Sequence, residues 1–284
     1  MTAPFSHLLL ATEHTEFDSG AEQLALALAQ RFALPLTAVL PLVSNPEFET
    51  LAPQIAARAE QDAALKLARL RDLASQAGVP IDLQVRRGEE PYQEIVDAAT
   101  ELGSDLIVIR RRGKRGMLAN LLVGEMVTKV VAHAPCNVLI APTDARLWSR
   151  RILVAAQPTV LGRRLVASAA AVARASGLPL CILCVATGNA PEQRVPVEAF
   201  LAASLELARE LGVAAQGHAP AGKAAAEILG SAATLKADLI VIGNRSDHSI
   251  RRALVGGVAQ KVIGLAPTPV LVLHCAAPIA EGTA

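Results

Sequence analysis

The chain reads as an α/β protein made of two copies of one doubly wound domain. Three observations predict this. Distinct segments recur at separations of roughly 140 residues, far beyond a solenoid period. Short apolar runs alternate with longer helical stretches in the same order in both halves. Those short runs are apolar throughout instead of every second residue, as in parallel strands covered by helices on both faces.

The repeats are specific. The run DLIVI from Asp105 to Ile109 returns from Asp238 to Ile242, and Leu122-Val-Gly124 returns as Leu254-Val-Gly256. Ala134-Pro135 returns as Ala266-Pro267, Leu34-Pro-Leu36 as Leu178-Pro-Leu180, and His7-Leu-Leu-Leu10 matches Arg151-Ile-Leu-Val154. Domain one is expected over 1–143, domain two over 150–275, and a flexible tail over 276–284.

Each element follows in pairs. The first strand is expected at Leu8 to Ala11 and Ile152 to Ala155, the first helix at Ser19 to Phe32 and Gly162 to Ser176. The second strand falls at Leu36 to Leu42 and Leu180 to Ala186. The second helix is long in the first copy, Pro53 to Ala77, and shorter in the second, Pro196 to Leu211. The third strand is Ile81 to Arg86 and Val213 to His218; the third helix is Pro91 to Leu102 and Ala224 to Leu235. After the DLIVI strand, a fourth helix is expected at Met117 to His133 and Ile250 to Leu265, and the fifth strand at Asn137 to Ala141 and Pro269 to His274. Right-handed crossovers wind such a chain into a covered parallel sheet. Ligands of such sheets bind beyond the carboxyl ends of the strands, where the strand order reverses.

Composition excludes several classes. With 27 Lys and Arg against 26 Asp and Glu, the net charge is +1, which argues against a coat for nucleic acid or anionic membranes. Aromatics at 2% leave few stacking platforms for bases. The mean hydropathy of +0.38 reflects alanine; runs such as Leu165 to Ala173 fall short of the ~20 residues of a membrane span. The N-terminal MTAPFSHLLLATEHTEF lacks the basic flank of a signal peptide, so a cytoplasmic protein is expected. Of four cysteines, Cys181 and Cys184 lie in one apolar strand and face opposite sides, so they suit a buried core better than a metal.

With its strand-four run and glycine-bearing loop, Leu-Val-Gly, and His133-Ala-Pro-Cys136 before the last strand, the chain resembles the universal stress protein family in its tandem two-domain form. The resemblance implies two Rossmann-like domains, each a five-stranded parallel sheet in order 3-2-1-4-5, and pairing through strand five as an internal pseudo-dimer or a homodimer. Nucleotide-binding members carry G-x-x-G, nine residues, then G-S/T between strand four and helix four, with an Asp at the end of strand one. Glycines let backbone N–H groups approach a phosphate chain at the helix start.

The second copy keeps that spacing. Gly243 matches the first glycine, Ser246 stands at the second, and Gly256 matches the third, with Gly257 in place of the hydroxyl residue and Gln157 in place of the Asp. Asn244, Arg245 and His248 are further donors, while Asp247 opposes phosphate. In the first copy Arg110 stands at the first glycine, Gly113 matches the second, Gly124 follows after ten residues, and Glu125 replaces the hydroxyl residue. Glu13 replaces the Asp, and Gly116 offers an alternative loop glycine. The cations Arg110, Arg111, Arg112, Lys114 and Arg115 suggest either an anion site or a solvated loop balancing Glu13, Glu89, Glu90 and Glu125.

Gly217 to Ala224, GHAPAGKA, nearly spells a P-loop, but Ala224 lacks the metal-binding hydroxyl and Gly222 aligns with the plain turn glycine Gly88. No nucleophile elbow or H-E-x-x-H motif occurs. His133 and His274 flank the fifth strands as structural residues; His14 and His248 fall at ligand-edge loops. The sequence therefore points to a cytoplasmic, non-enzymatic stress-response regulator binding ATP or another adenine nucleotide through degenerate loops, with Mg²⁺ left open. The alternative is a nucleotide-free scaffold for an unidentified protein partner; slow ATP hydrolysis ranks third. No membrane or nucleic-acid partner is expected.

Overall fold

A computed structural model describes residues 3–45, 47, 50, 53–111, 124–188, 190–244 and 256–274. These fall in two compact units, one holding 5–111 and 124–147, the other 148–188, 190–244 and 256–274 together with 3–4.

Unit one runs β1 (Leu8–Ala11), α1 (Ser19–Phe32), β2 (Leu36–Val43), α2 (Pro53–Gln76), β3 (Asp82–Gly88), α3 (Pro91–Glu101), β4 (Leu106–Arg110), α4 (Glu125–His133) and β5 (Asn137–Ala141). Unit two runs β6 (Ile152–Ala155), α5 (Val160–Ser176), β7 (Leu180–Leu183), α6 (Pro191–Glu210), β8 (Ala215–His218), α7 (Ala224–Thr234), β9 (Leu239–Gly243), α8 (Gly257–Leu265) and β10 (Val270–Leu273). Within unit one the strand order is β3-β2-β1-β4-β5, within unit two β8-β7-β6-β9-β10, and the pairs are parallel. Both are the 3-2-1-4-5 order, so the reversal point lies between the first and fourth strands of each unit.

The central strands are apolar because helices cover both faces. Leu8, Leu9, Leu10, Leu106, Ile107, Val108 and Ile109 in unit one, and Ile152, Leu153, Val154, Leu239, Ile240 and Val241 in unit two, have no exposed surface. At roughly 1.5–3 kcal/mol per fully buried side chain, these strands anchor each core.

The repeated Asp of DLIVI has a job at the opposite end of the sheet. Asp105 accepts from the Ser6 and His7 N–H groups at 2.7 and 3.1 Å and from the Ser6 hydroxyl at 2.8 Å. Asp238 accepts from the N–H groups of Ser149, Arg150 and Arg151 at 2.7 to 3.2 Å. Each carboxylate thus ties the chain entering the first strand to the start of the fourth. Beside it, the sole tryptophan, Trp148, is buried in unit two and donates Nε1–H to Ser176 Oγ at 2.9 Å.

Several boundaries depart from the sequence expectation. Helix α5 starts at Val160, before Gly162, because the Thr159 hydroxyl accepts from the Gly162 N–H at 3.0 Å. Helix α6 starts at Pro191, which fits the first helical turn, and carries Pro196 inside at an exposed position. Helices α4 and α8 begin only at Glu125 and Gly257, since Gly124 and Gly256 have extended ψ of 143° and 146°. The expected starts of those helices, at Met117 and Ile250, lie outside the described residues, as does the tail.

Candidate functional site

The carboxyl ends of β1 and β4 in unit one, and of β6 and β9 in unit two, bound the reversal point. Ala11 pairs with Ile109 in one register and Ala155 with Ile242 in the other, so Arg110 and Gly243 occupy equivalent positions. Spacing from the first to the second strand is also equal in the two units. Glu13, Thr15, Asp18 and Glu22 therefore correspond to Gln157, Thr159, Gly162 and Val166.

In unit one Arg110 turns inward. Its side chain is 5% exposed. Nη1 donates to Thr15 Oγ1 at 2.7 Å and to Asp18 Oδ2 at 2.8 Å, while Nη2 donates to Glu13 Oε2 at 2.7 Å. Asp18 is fully buried at the start of α1 and also accepts from the Thr15 N–H and hydroxyl at 2.9 and 2.7 Å. A second carboxylate layer lies alongside: Glu22 Oε1 accepts from Thr12 Oγ1 at 2.7 Å and from His14 Nδ1 at 2.9 Å. The His14 N–H in turn donates to Thr12 Oγ1 at 2.8 Å, and His14 takes a left-handed φ of 48°. The hollow lined by Ala11, Thr12, Glu13, Asp18, Pro41, Ile95, Arg110 and Met126 has no room left for a water molecule. Arg110 Nε and Asp18 Oδ1 have no hydrogen-bond partner among the described residues.

The two described cations of the basic run are both drawn away from solvent. Arg110 is consumed by this cluster. Arg111 is partly buried; burial lowers its pKa, opposed by the Asp144 charge. Arg112, Gly113, Lys114, Arg115 and Gly116 lie outside the described residues. Gly124 is the N-cap of α4, and the first turn of that helix carries Glu125, which with Glu90 holds Lys129 at 3.1 and 3.0 Å.

In unit two the described residues at the equivalent edge, Gln157, Gly243, Asn244, Gly256 and Gly257, carry no charge. Gly243 ends β9, and the Asn244 N–H donates to Leu273 O at 3.0 Å. The Asn244 amide lies 3.3 Å from His274 Nε2, so that histidine joins the ligand edge as well as closing the last strand. Gln157 is exposed at the end of β6. Gly256 and Gly257 lead into α8, and a methyl group on either would meet nothing within 4 Å among the described residues. The first turn of α8 has neither an acidic side chain nor a side-chain cap. Arg245, Ser246, Asp247 and His248 lie outside the described residues.

The near P-loop is closed by its own helix. A methyl on Gly222 would press within 2.6 Å of Glu227 Oε1, so a carboxylate covers the turn where phosphate would have to sit. Gly88 meets Glu94 in the same way, confirming that the two turns are equivalents. Among the described residues no group of three or more His, Cys, Asp or Glu side chains is placed to hold a metal ion. None of the helices described is long and apolar enough to cross a membrane.

Sequence reasoning missed Thr15, Asp18 and Glu22. A signal existed: an arginine at a glycine position beside a buried helix start demands counter-charges, and TEHTEFD directly after β1 supplies them.

Comparison with known proteins bears on the whole chain. The sequence model of the universal stress protein family matches residues 4–142 and again 149–274. A universal stress protein of Thermus aquaticus is 32% identical over 142 residues, covering 48% of this chain and 98% of its own length. One from Mycobacterium tuberculosis is 24% identical over 247 residues, covering 81% of this chain and 82% of its own. The crystal structure of a universal stress protein from Archaeoglobus fulgidus shares the fold, with a TM-score of 0.71 over 95% of this chain and 96% of that one at 20% identity. Two consecutive matches to one family, on two units of the same strand order, make this chain a tandem two-domain member of the universal stress protein family.

Proposed function

We propose that the protein is a cytoplasmic, non-enzymatic regulator that binds an adenine nucleotide such as ATP at the carboxyl edge of unit two. The observation that carries this reading is the start of α8, where Gly256 and Gly257 stand at the N-cap and first position and the first turn carries no acidic side chain. Gly256 and Gly257 place no side chain over the first N–H groups of α8, and the first turn holds no competing carboxylate. Gln157 and Asn244 supply amide donors and acceptors at the ends of β6 and β9, suited to sugar hydroxyls or base edges. Arg245, Ser246 and His248 belong to the proposed site by sequence position. Buried cysteines without disulfides, Cys136, Cys181 and Cys184, suit a reducing compartment.

Binding would act by population shift: nucleotide favours one arrangement at the start of α8 and hence one partner-facing surface. The test is thermal unfolding with ATP, ADP and AMP at millimolar concentration. A ligand at a hundred times its Kd stabilises by about 2.7 kcal/mol, so a bound nucleotide must raise the midpoint. An unchanged midpoint with all three removes this reading.

A second reading is favoured by a specific departure. Gly257 lacks the hydroxyl, and Gln157 the carboxylate, of the nucleotide-binding pattern. On that reading the chain is a nucleotide-free scaffold for a protein partner. Protein purified without added ligand separates the two: co-purifying nucleotide, seen by absorbance and mass, supports the first. The family resemblance implies pairing through strand five, and sedimentation equilibrium reads whether two chains associate.

A further inference from the structure

We infer that Arg110 is a built-in counter-ligand: its guanidinium fills the position that a bound anion's cradle would need in unit one, so the tandem chain takes one nucleotide, in unit two only. The inference rests on the nucleotide reading of unit two for its stoichiometry, but its core is the ion cluster itself.

Three observations carry it. First, Arg110 stands at the register position of Gly243, and its head group is sealed in by Glu13, Thr15 and Asp18 at 2.7 to 2.8 Å. Nothing the size of water remains in the hollow around it. Second, the cation and its acidic partners occur as a set. Where unit two has Gly243 in place of the arginine, it has Gln157 and Gly162 in place of its partners Glu13 and Asp18, and Val166 in place of Glu22 in the layer alongside. A lone buried carboxylate or guanidinium is costly, so such groups come and go together. Third, the negative side chains point the field against phosphate. With Arg110 neutralised from inside, the first turn of α4 presents Glu125, a carboxylate 82% exposed and paired on one side with Lys129 at 3.1 Å, where the first turn of α8 presents none.

The set also explains a backbone difference. Thr159 caps α5, whereas its equivalent Thr15 spends its hydroxyl on Asp18 and accepts from Arg110. Helix α1 accordingly begins at Ser19, three positions later than α5 does in the aligned frame.

Equilibrium dialysis against ATP tests the inference on the full chain. The wild type should bind one ATP. A five-residue variant carrying the unit-two residues, Glu13→Gln, Asp18→Gly, Glu22→Val, Arg110→Gly and Glu125→Gly, should bind two. Two ATP on the wild type, or no added site in the folded variant, overturns it. Zero on the wild type with one on the variant removes the nucleotide reading of unit two and leaves the role of Arg110 standing. Far-UV circular dichroism checks that the variant folds. Amide exchange of the wild type gives a readout without any substitution. At a hundredfold excess over Kd, ATP should slow opening of β6, β9 and α8 up to about 100-fold and leave β1, α1 and β4 unchanged. ATP-dependent slowing in β1 and β4 overturns the inference.

Discussion

Arg110 shows how one side chain changes the character of a whole edge. Three carboxylates and two threonine hydroxyls are organised around it or beside it, and Asp18 is buried outright. Removing the cation while leaving its partners creates uncompensated buried charge. Arg110→Met should therefore destabilise unit one by about 3–5 kcal/mol, read by urea unfolding. Arg110→Met combined with Asp18→Asn and Glu13→Gln should recover part of that loss, because the charges vanish together. The cysteines make a second residue-scale case. Burial pushes the Cys136 thiol up to about 12, with the Asp105 charge adding to it, and the Cys184 thiol up to about 11. Burial raises Cys181 as well. These thiols stay protonated in the folded chain while the unfolded chain ionises near 9.0. Their stability contribution is thus full below pH 9 and falls by about 1.4 kcal/mol per pH unit per thiol as pH rises towards the folded values. Between pH 8 and 10, Cys136→Ala should lose about 1 kcal/mol less than the wild type. A disulfide-exchange reagent at pH 8 should find all three inert until unfolding.

At the scale of elements, the two units repeat devices more faithfully than residues. Asp105 and Asp238 perform the same clamp on different sequences, Ser6-His7 and Ser149-Arg150-Arg151. Hydrogen bonds to a charged group contribute about 1.5–3 kcal/mol each when buried, and less at this partly exposed edge, where several act together on one carboxylate. Asp238→Ala should cost about 2–3 kcal/mol in unit two, and Trp148 emission, buried beside the clamp, follows the transition directly. Helix ends tell a related story. The chain leaves α1 through Ala33 at φ 52° and α5 through Gly177 at φ 68°. Only glycine takes that conformation without side-chain strain. Ala33→Gly should stabilise unit one by roughly 0.5 kcal/mol after the added unfolded-state entropy is offset, seen as a raised urea midpoint. Gly20 is a true requirement of packing, since a methyl there would come within 2.0 Å of Pro142 O.

For the molecule as a whole, a net charge of +1 and a pI near 7.8 place the protein close to neutrality at physiological pH. Weak self-repulsion follows, so solubility at low salt should pass through a minimum near pH 7.8, measurable by turbidity across pH 6 to 9.5. The two-copy architecture was legible in the sequence because its evidence is local. Each buried parallel strand must be apolar along its length, each helix must show its own period, and DLIVI occurs twice. The site was legible only in part. Glycine positions Gly243, Gly256 and Gly257 could be aligned by spacing, and Glu13 and Arg110 could be placed at the right edge. Their consequence could not be read. The sequence by itself determined that the chain holds two parallel-sheet units with their ligand edges after the first and fourth strands. Only the tertiary structure decided that Arg110 points inward onto Glu13, Thr15 and Asp18, partners 92 to 97 residues away along the chain. The physical reason is that a charge's direction is set by which counter-charges the fold brings within 3 Å, and no local pattern encodes that distance.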